Sequence, residues 1–195
     1  MPSPVPSVPQ SSVSFPVPLH TDRLTLRGPD PARADTINAA IRDSFAELSA
    51  WLPWADHVPS LDETREHLTK AHAAFEANDD CGLFIWDRIS ERFIGAIGLH
   101  QRLADPKRRE MGYWIRTSAA GNGYATEAVR AVSRAALEHL ALSALEIHVN
   151  PGNVASRRVA LAAGFVYAGE IAGRPDPDGQ PTRVLVYVLE APLRR

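Results

Sequence analysis

The chain has 195 residues, enough for one domain with a full core and too few for two ordinary ones. Its 45% hydrophobic and 23% charged residues are those of a globular protein. A net charge of −2 and a pI of about 6.4 give no electrostatic case for nucleic acid or an anionic membrane surface.

Cys81 is the single cysteine, which excludes an internal disulfide and fits a reducing cytoplasm. No apolar run approaches the roughly 20 residues of a membrane span, and the N-terminus lacks a secretory pattern. A cytoplasmic protein is therefore expected. Seven histidines without a His-x-x-x-His pair, and a cysteine without a partner, argue against a metal site.

Residues 1–18 carry Pro2, Pro4, Pro6, Pro9, Pro16 and Pro18 among Ser and Val, and read as an extended tail. A single domain over 19–195 follows. Arg23-Leu24-Thr25-Leu26-Arg27 alternates as a strand and closes on Gly28-Pro29. Asp30 or Pro31 opens a helix through Ile37, Ile41, Phe45 and Leu48. Trp51 and Trp54 then flank a proline turn, where indoles either pack or wall a pocket. Ser60 with Glu63 is a capping box that starts a helix to about residue 77. Residues 82–86 and 92–100 form a hairpin that continues, past the basic turn Lys107-Arg108-Arg109, into an apolar strand over 111–115.

From Tyr124 the period changes: Ala125, Ala128, Val132 and Ala135 form one helical face, opposite Glu127, Arg130, Arg134 and Glu138. Between strand and helix stand Gly121, Asn122 and Gly123. Strand, glycine turn and helix start together aim unpaired amide N–H groups and the positive helix end at one spot, suited to phosphate. Neither familiar fingerprint is met. Thr126 stands where the dinucleotide fold needs its third glycine, and no Gly-Lys-Ser/Thr follows. Residues 144–149 make a further strand, Asn153 can cap a helix that Gly164 ends, and 165–171 and 183–189 close the sheet. The loop between these last two strands holds Asp176 and Asp178, which could attract a cationic substrate. A meander followed by strand–helix alternation predicts an α/β (α+β) fold, a mixed sheet with helices on both faces.

Four pieces resemble the GNAT acetyltransferases, and within them the RimJ/RimL type that acetylates ribosomal-protein N-termini. They are residues 19–27, the strand 109–115, the turn Gly121-Asn122-Gly123-Tyr124-Ala125-Thr126-Glu127-Ala128, and Asn153-Val154-Ala155-Ser156 followed by Gly164-Phe165. The resemblance spans residues 19–189. It implies a mostly antiparallel sheet of about seven strands and acetyl-CoA as co-substrate. Two positions depart from the family. Ser118 stands where the turn usually begins with Gln or Arg, and Ala160 stands where many members place an acidic Tyr.

What the resemblance implies is direct attack of an amine on the thioester. Gly121, Asn122, Gly123, Tyr124, Ala125 and Thr126 would bind the diphosphate, the exposed backbone of Ile115 and Thr117 would pair with the pantetheine arm, and Asn153 would offer it an amide. Ser156 is the candidate acid and Glu110 the candidate base, with His148 as second choice and an ion pair to Arg108 or Arg109 as the plainer role for Glu110. An α-amine of pKa about 7.7–8.0 is about one-tenth to one-sixth neutral at pH 7, against about one in a few thousand for lysine. A weak base therefore suits a protein N-terminus. A small amine or antibiotic is the alternative acceptor, and a silent coenzyme-binding module the rival from another class. A homodimer is compatible with the sequence and not specified by it.

Overall fold

Cys81–Asp87 reads Cys-Gly-Leu-Phe-Ile-Trp-Asp, and four consecutive residues from Leu83 to Trp86 are buried. A strand buried on both sides needs a layer on each face. The computed structural model, which describes residues 15–78, 81–173 and 180–192, supplies both layers. Leu83 and Ile85 join the core on one face, while Phe84 and Trp86 join a second cluster on the other.

The eight strands are β1 (Leu19–His20), β2 (Leu24–Arg27), β3 (Cys81–Asp87), β4 (Phe93–His100), β5 (Arg108–Ile115), β6 (Ala144–Val149), β7 (Val166–Ala172) and β8 (Arg183–Glu190). Their order in one sheet is β1-β2-β3-β4-β5-β6-β8-β7, antiparallel throughout except for the parallel pair β5/β6. The expected mixed, mostly antiparallel sheet with helices on both faces is what the chain forms. It has one strand more than the seven foreseen, because Leu19 and His20 fold back onto Leu26 and Thr25.

Helices α1 (Ala34–Asp43), α2 (Phe45–Ser49), α3 (Leu61–Glu76), α4 (Tyr124–His139) and α5 (Val154–Ala162) complete the fold. Ala34, Ile37, Ala40 and Leu68 of α1 and α3 pack on Phe84, Trp86 and Phe93. Ala128, Val129, Val132 and Ala136 of α4 and Ala160 of α5 pack on the opposite face. Phe15, inside the segment read as a tail, is buried in the core on the α4 side; residues 1–14, with most of that segment, and Asp176 and Asp178 lie outside the described residues.

Three local expectations hold. Asp30 accepts from the Ala32 N–H, Ser60 and Glu63 form both halves of the capping box, and Asn153 Oδ1 accepts from the Ser156 N–H at 2.9 Å. The helix foreseen from 31 to 48 is instead a 3₁₀ turn (Pro31–Arg33) followed by α1 and α2, broken at Ser44. Ser44 is buried and its hydroxyl accepts from the Thr117 N–H at 3.0 Å, a tertiary bond the local periodicity cannot show. Among the described residues no helix is long and apolar enough to cross a membrane.

Candidate active site

The β5/β6 ladder is short. Arg108, Arg109 and Glu110 lie opposite Ala144, Leu145 and Glu146, and there the pairing stops, although β5 continues through 111–115 and β6 through 147–149. Two parallel strands that separate leave a wedge in the sheet, with unpaired backbone along the β6-facing edge of β5. Every candidate group lies on or beside this wedge.

At the mouth of the wedge is the glycine turn. Gly121 and Gly123 both have φ of +78°, a left-handed conformation costly for residues with a Cβ. Gly123 caps α4 with its carbonyl, which accepts from the Glu127 N–H at 3.1 Å. The N–H groups of Tyr124, Ala125 and Thr126 therefore precede the first helical bond and point out of the helix end. A Cβ on Gly121 would meet nothing within 4 Å, so the approach to these amides is open.

A clamp that sequence spacing did not reveal holds the turn in place. Glu127 Oε1 accepts from the Thr21 hydroxyl at 2.6 Å and the Arg23 N–H at 3.0 Å, and its Oε2 accepts from Arg23 Nε at 2.7 Å. Arg23 also donates to the Asn122 carbonyl at 3.0 Å and lies 4.7 Å from the Tyr124 ring centre. From the other side Arg92 Nη2 donates to Ser118 Oγ at 2.7 Å. A guanidinium thus reaches the turn through the very residue that departs from the family pattern.

Burial alone would raise the Glu127 carboxyl, but the hydrogen bonds from Thr21 and Arg23 outweigh it and hold the group below the ordinary carboxylate range. A folded-state value below the unfolded one means stabilisation that is complete above about pH 4.3 and fades as pH falls through the folded value. Glu127→Gln should cost about 1 kcal/mol at pH 7, discounted for the half-exposed Arg23. Thermal melts between pH 7 and pH 3 should then show a shallower acid loss than wild type.

Thr117 does not present the open backbone expected of it. Its N–H is held by Ser44, its carbonyl by the Ala120 N–H at 3.1 Å and its hydroxyl by Glu47 at 3.0 Å. Ile115 remains on β5, paired on its other side with Gly95.

Residues of β5 alternate across the wedge. Met111, Tyr113 and Ile115 face α4, whereas Glu110, Gly112 and Trp114 face the side of α1 and α3. On the α4 side the Tyr113 hydroxyl lies 3.0 Å from Ser156 Oγ and 3.2 Å from the Ser156 carbonyl. Burial pushes the Tyr113 phenol up to about 12, with the Ser156 hydrogen bond a smaller opposing effect, so it keeps its proton at neutral pH. Ala160, where many relatives carry a tyrosine, is fully buried in the core. A phenol reaches this region from β5 instead.

On the opposite side Glu110 is not paired with Arg108 or Arg109. Its Oε2 lies 4.0 Å from His148 Nδ1, and its Oε1 lies 3.6 Å from Arg102. The first and second choices for the base are thus neighbours. Arg108 instead donates to Glu146 at 2.8 Å, and Glu146 takes His148 Nε2 at 2.7 Å. The indoles frame the same face. Trp54 lies tilted against Trp114 with ring centres 6.2 Å apart, and a Cβ on Gly152 would sit 3.3 Å from Trp51, so the 51–54 loop spans from β5 to the β6–α5 turn. Among the described residues no cluster of three His, Cys, Asp or Glu is arranged to hold a metal ion.

Comparison with known proteins accords with this geometry. Residues 23–166 match the acetyltransferase (GNAT) domain family. The chain is 28% identical over 178 residues to an uncharacterized N-acetyltransferase, YoaA, of Bacillus subtilis (strain 168), covering 91% of this chain and 98% of that one. Among solved structures, the microcin C7 self-immunity acetyltransferase MccE, in complex with acetyl-CoA and AMP, shares the fold at TM-score 0.80 and 18% identity, over 91% of this chain and 99% of that one. RimL, a ribosomal L7/L12 α-N-protein acetyltransferase in complex with coenzyme A, matches at TM-score 0.76 and 20% identity, over 90% and 97%. The chain belongs to the GNAT family and is an acyltransferase of that type.

Proposed function

We propose that this acetyltransferase uses acetyl-CoA as donor and a protein N-terminal α-amine as acceptor. The observation that carries the proposal is the wedge itself, with an anion-binding turn at its mouth and a proton-handling pair on either side. The turn fits a diphosphate: free α4 amides, glycines at positive φ, and nothing in the space a Gly121 side chain would fill. When bound, the coenzyme supplies an activated acetyl thioester.

The chain's own residues do the rest. Amides over 121–126 hold the diphosphate. The free β5 edge up to Ile115 accepts the arm as an added strand, and Asn153, whose Oδ1 is spent on its cap, offers Nδ2 to it. Glu110 receives the acceptor amine on one side of the wedge. Ser156, backed by the protonated Tyr113, donates on the other. The fold shared with RimL and the high neutral fraction of an α-amine support the N-terminal acceptor. The Trp51/Trp54 loop across the acceptor face favours a second reading, in which that face takes a small amine.

A Glu110→Gln, Ser156→Ala double variant tests whether the site is catalytic. Turnover should drop by about two orders of magnitude or more with coenzyme A affinity unchanged in calorimetry. Unaltered turnover would remove both residues from the chemistry.

A further inference from the structure

Behind Glu110 stand Glu146 and His148, both partly buried. Glu110, Glu146 and His148 share one face of the sheet, Glu110 and Glu146 in direct register across β5 and β6. Each side chain is four-fifths or more buried. Glu146 is tied on one oxygen by Arg108, which also lies 3.6 Å from Glu190, and on the other by His148.

Resting on the acetyl-transfer reading, we propose that the acceptor ammonium binds between Glu110 and His148 and gives its proton to His148 Nδ1, with Glu146 as the residue that positions the imidazole. An ionised carboxylate can only accept hydrogen bonds, so the ring nitrogen it holds, Nε2, must carry the proton. In the neutral ring the free lone pair is then on Nδ1, the nitrogen that faces Glu110. Arg108 favours the ionised form of Glu146. Burial would raise that carboxyl, yet the hydrogen bonds from His148 and Arg108 bring it below its ordinary range.

The 4.0 Å gap suits one nitrogen. A primary ammonium at an ordinary distance of about 2.9 Å from both Glu110 Oε2 and His148 Nδ1 would subtend about 90°, about 20° short of the tetrahedral angle between two of its N–H bonds, so each bond bends by only about 10° from linear. The proton step balances. One ammonium N–H bond breaks, the Nδ1–H bond forms, and the electron pair stays on the amine, which is then able to attack. The imidazolium is left between two carboxylates, Glu110 and Glu146. Glu110 holds the ammonium, and the imidazole beside it presents a nitrogen lone pair, a stronger base by its chemistry than a carboxylate oxygen. The other charged and titratable groups around the pair are Arg102 on Glu110, Arg108 on Glu146, and His100, which lies opposite Glu110 on β4. From β8, Val186 lies opposite His148.

The test is a double-mutant cycle on the full chain with acetyl-CoA and a reactive peptide. His148→Ala should slow kcat about a hundredfold and Glu146→Gln about tenfold, with KM for acetyl-CoA unchanged. The double variant should be no slower than His148→Ala, since Glu146 acts through the ring. A Glu146→Gln penalty that multiplies onto His148→Ala, or a His148→Ala enzyme at wild-type rate, would overturn the relay while leaving acetyl transfer intact. Long-range ¹H–¹⁵N spectra of the wild-type chain provide a readout independent of rate: the relay requires the Nε2–H tautomer, and an Nδ1–H tautomer would overturn it. If the wild type binds coenzyme A yet acetylates no acceptor, the acetyl-transfer reading itself fails and the proton step falls with it.

Discussion

Replacing Gly123 by valine should weaken coenzyme A binding by at least about a hundredfold while the protein stays folded. Two effects add. A β-branched residue at φ +78° is strained by about 1–3 kcal/mol, which the turn relieves by rotating its amides away from their common focus. The new side chain also stands at the N-terminus of α4, beside the Tyr124, Ala125 and Thr126 N–H groups proposed to hold the diphosphate. The folded state loses only the strain, since a Cβ there meets nothing nearer than Arg23 Nη2 at 3.6 Å. Melting should fall by roughly 2–10 °C, whereas calorimetric affinity collapses. Unchanged affinity would move the diphosphate elsewhere.

Phe165→Ala should have the largest effect on stability and act at the opposite side of the wedge. Phe165 is 2% exposed, and its N–H donates to the Ala160 carbonyl at 3.0 Å, just beyond Gly164 at φ +97°. Within α5 only Ala160 is fully buried, so Phe165 is the main apolar anchor holding that helix to the sheet. Truncation to alanine removes most of a buried ring and costs about 3–5 kcal/mol, out of a total of about 5–15 for such a domain. Melting should fall by roughly 6–20 °C. Because α5 and its cap carry Ser156 and Asn153, turnover at low temperature should also fall before global unfolding begins. A melting temperature within 2 °C of wild type would contradict this packing account.

What could be read from the chain alone was what is local in it. The Ser60/Glu63 box, the Asn153 cap and the Gly121–Gly123 turn depend on residues within a few positions of one another, and all three stand where their spacing puts them. Strand identity follows in the same way, from alternation at 23–27 and from short apolar runs at 82–86, 92–100 and 111–115. The rest depends on register and on contacts between distant segments. The continuous helical pattern breaks at Ser44, whose hydroxyl accepts from the N–H of Thr117, 73 positions on. Glu127 and Arg23, 104 positions apart, were both visible as motif residues, but nothing in their spacing pairs them. Arg108 is a candidate partner for Glu110 and shares its face of the sheet, yet the carboxylate it reaches is Glu146, which only the β5/β6 register brings alongside. Tyr113 was hidden for a different reason. As an aromatic within a buried strand it reads as core, and only the approach of α5 reveals its hydroxyl beside Ser156.

The central claim, acetyl transfer to a protein N-terminus through the β5/β6 wedge, is tested most directly by thiol release from acetyl-CoA. The acceptor panel would pair peptides of varied first residue with N-blocked lysine peptides, polyamines and amine antibiotics. The account predicts turnover on peptides with a free α-amine, those beginning with Ala or Ser foremost, and none on the N-blocked lysine peptides. Turnover confined to small amines, or tight coenzyme binding with no thiol released on any acceptor, would contradict it.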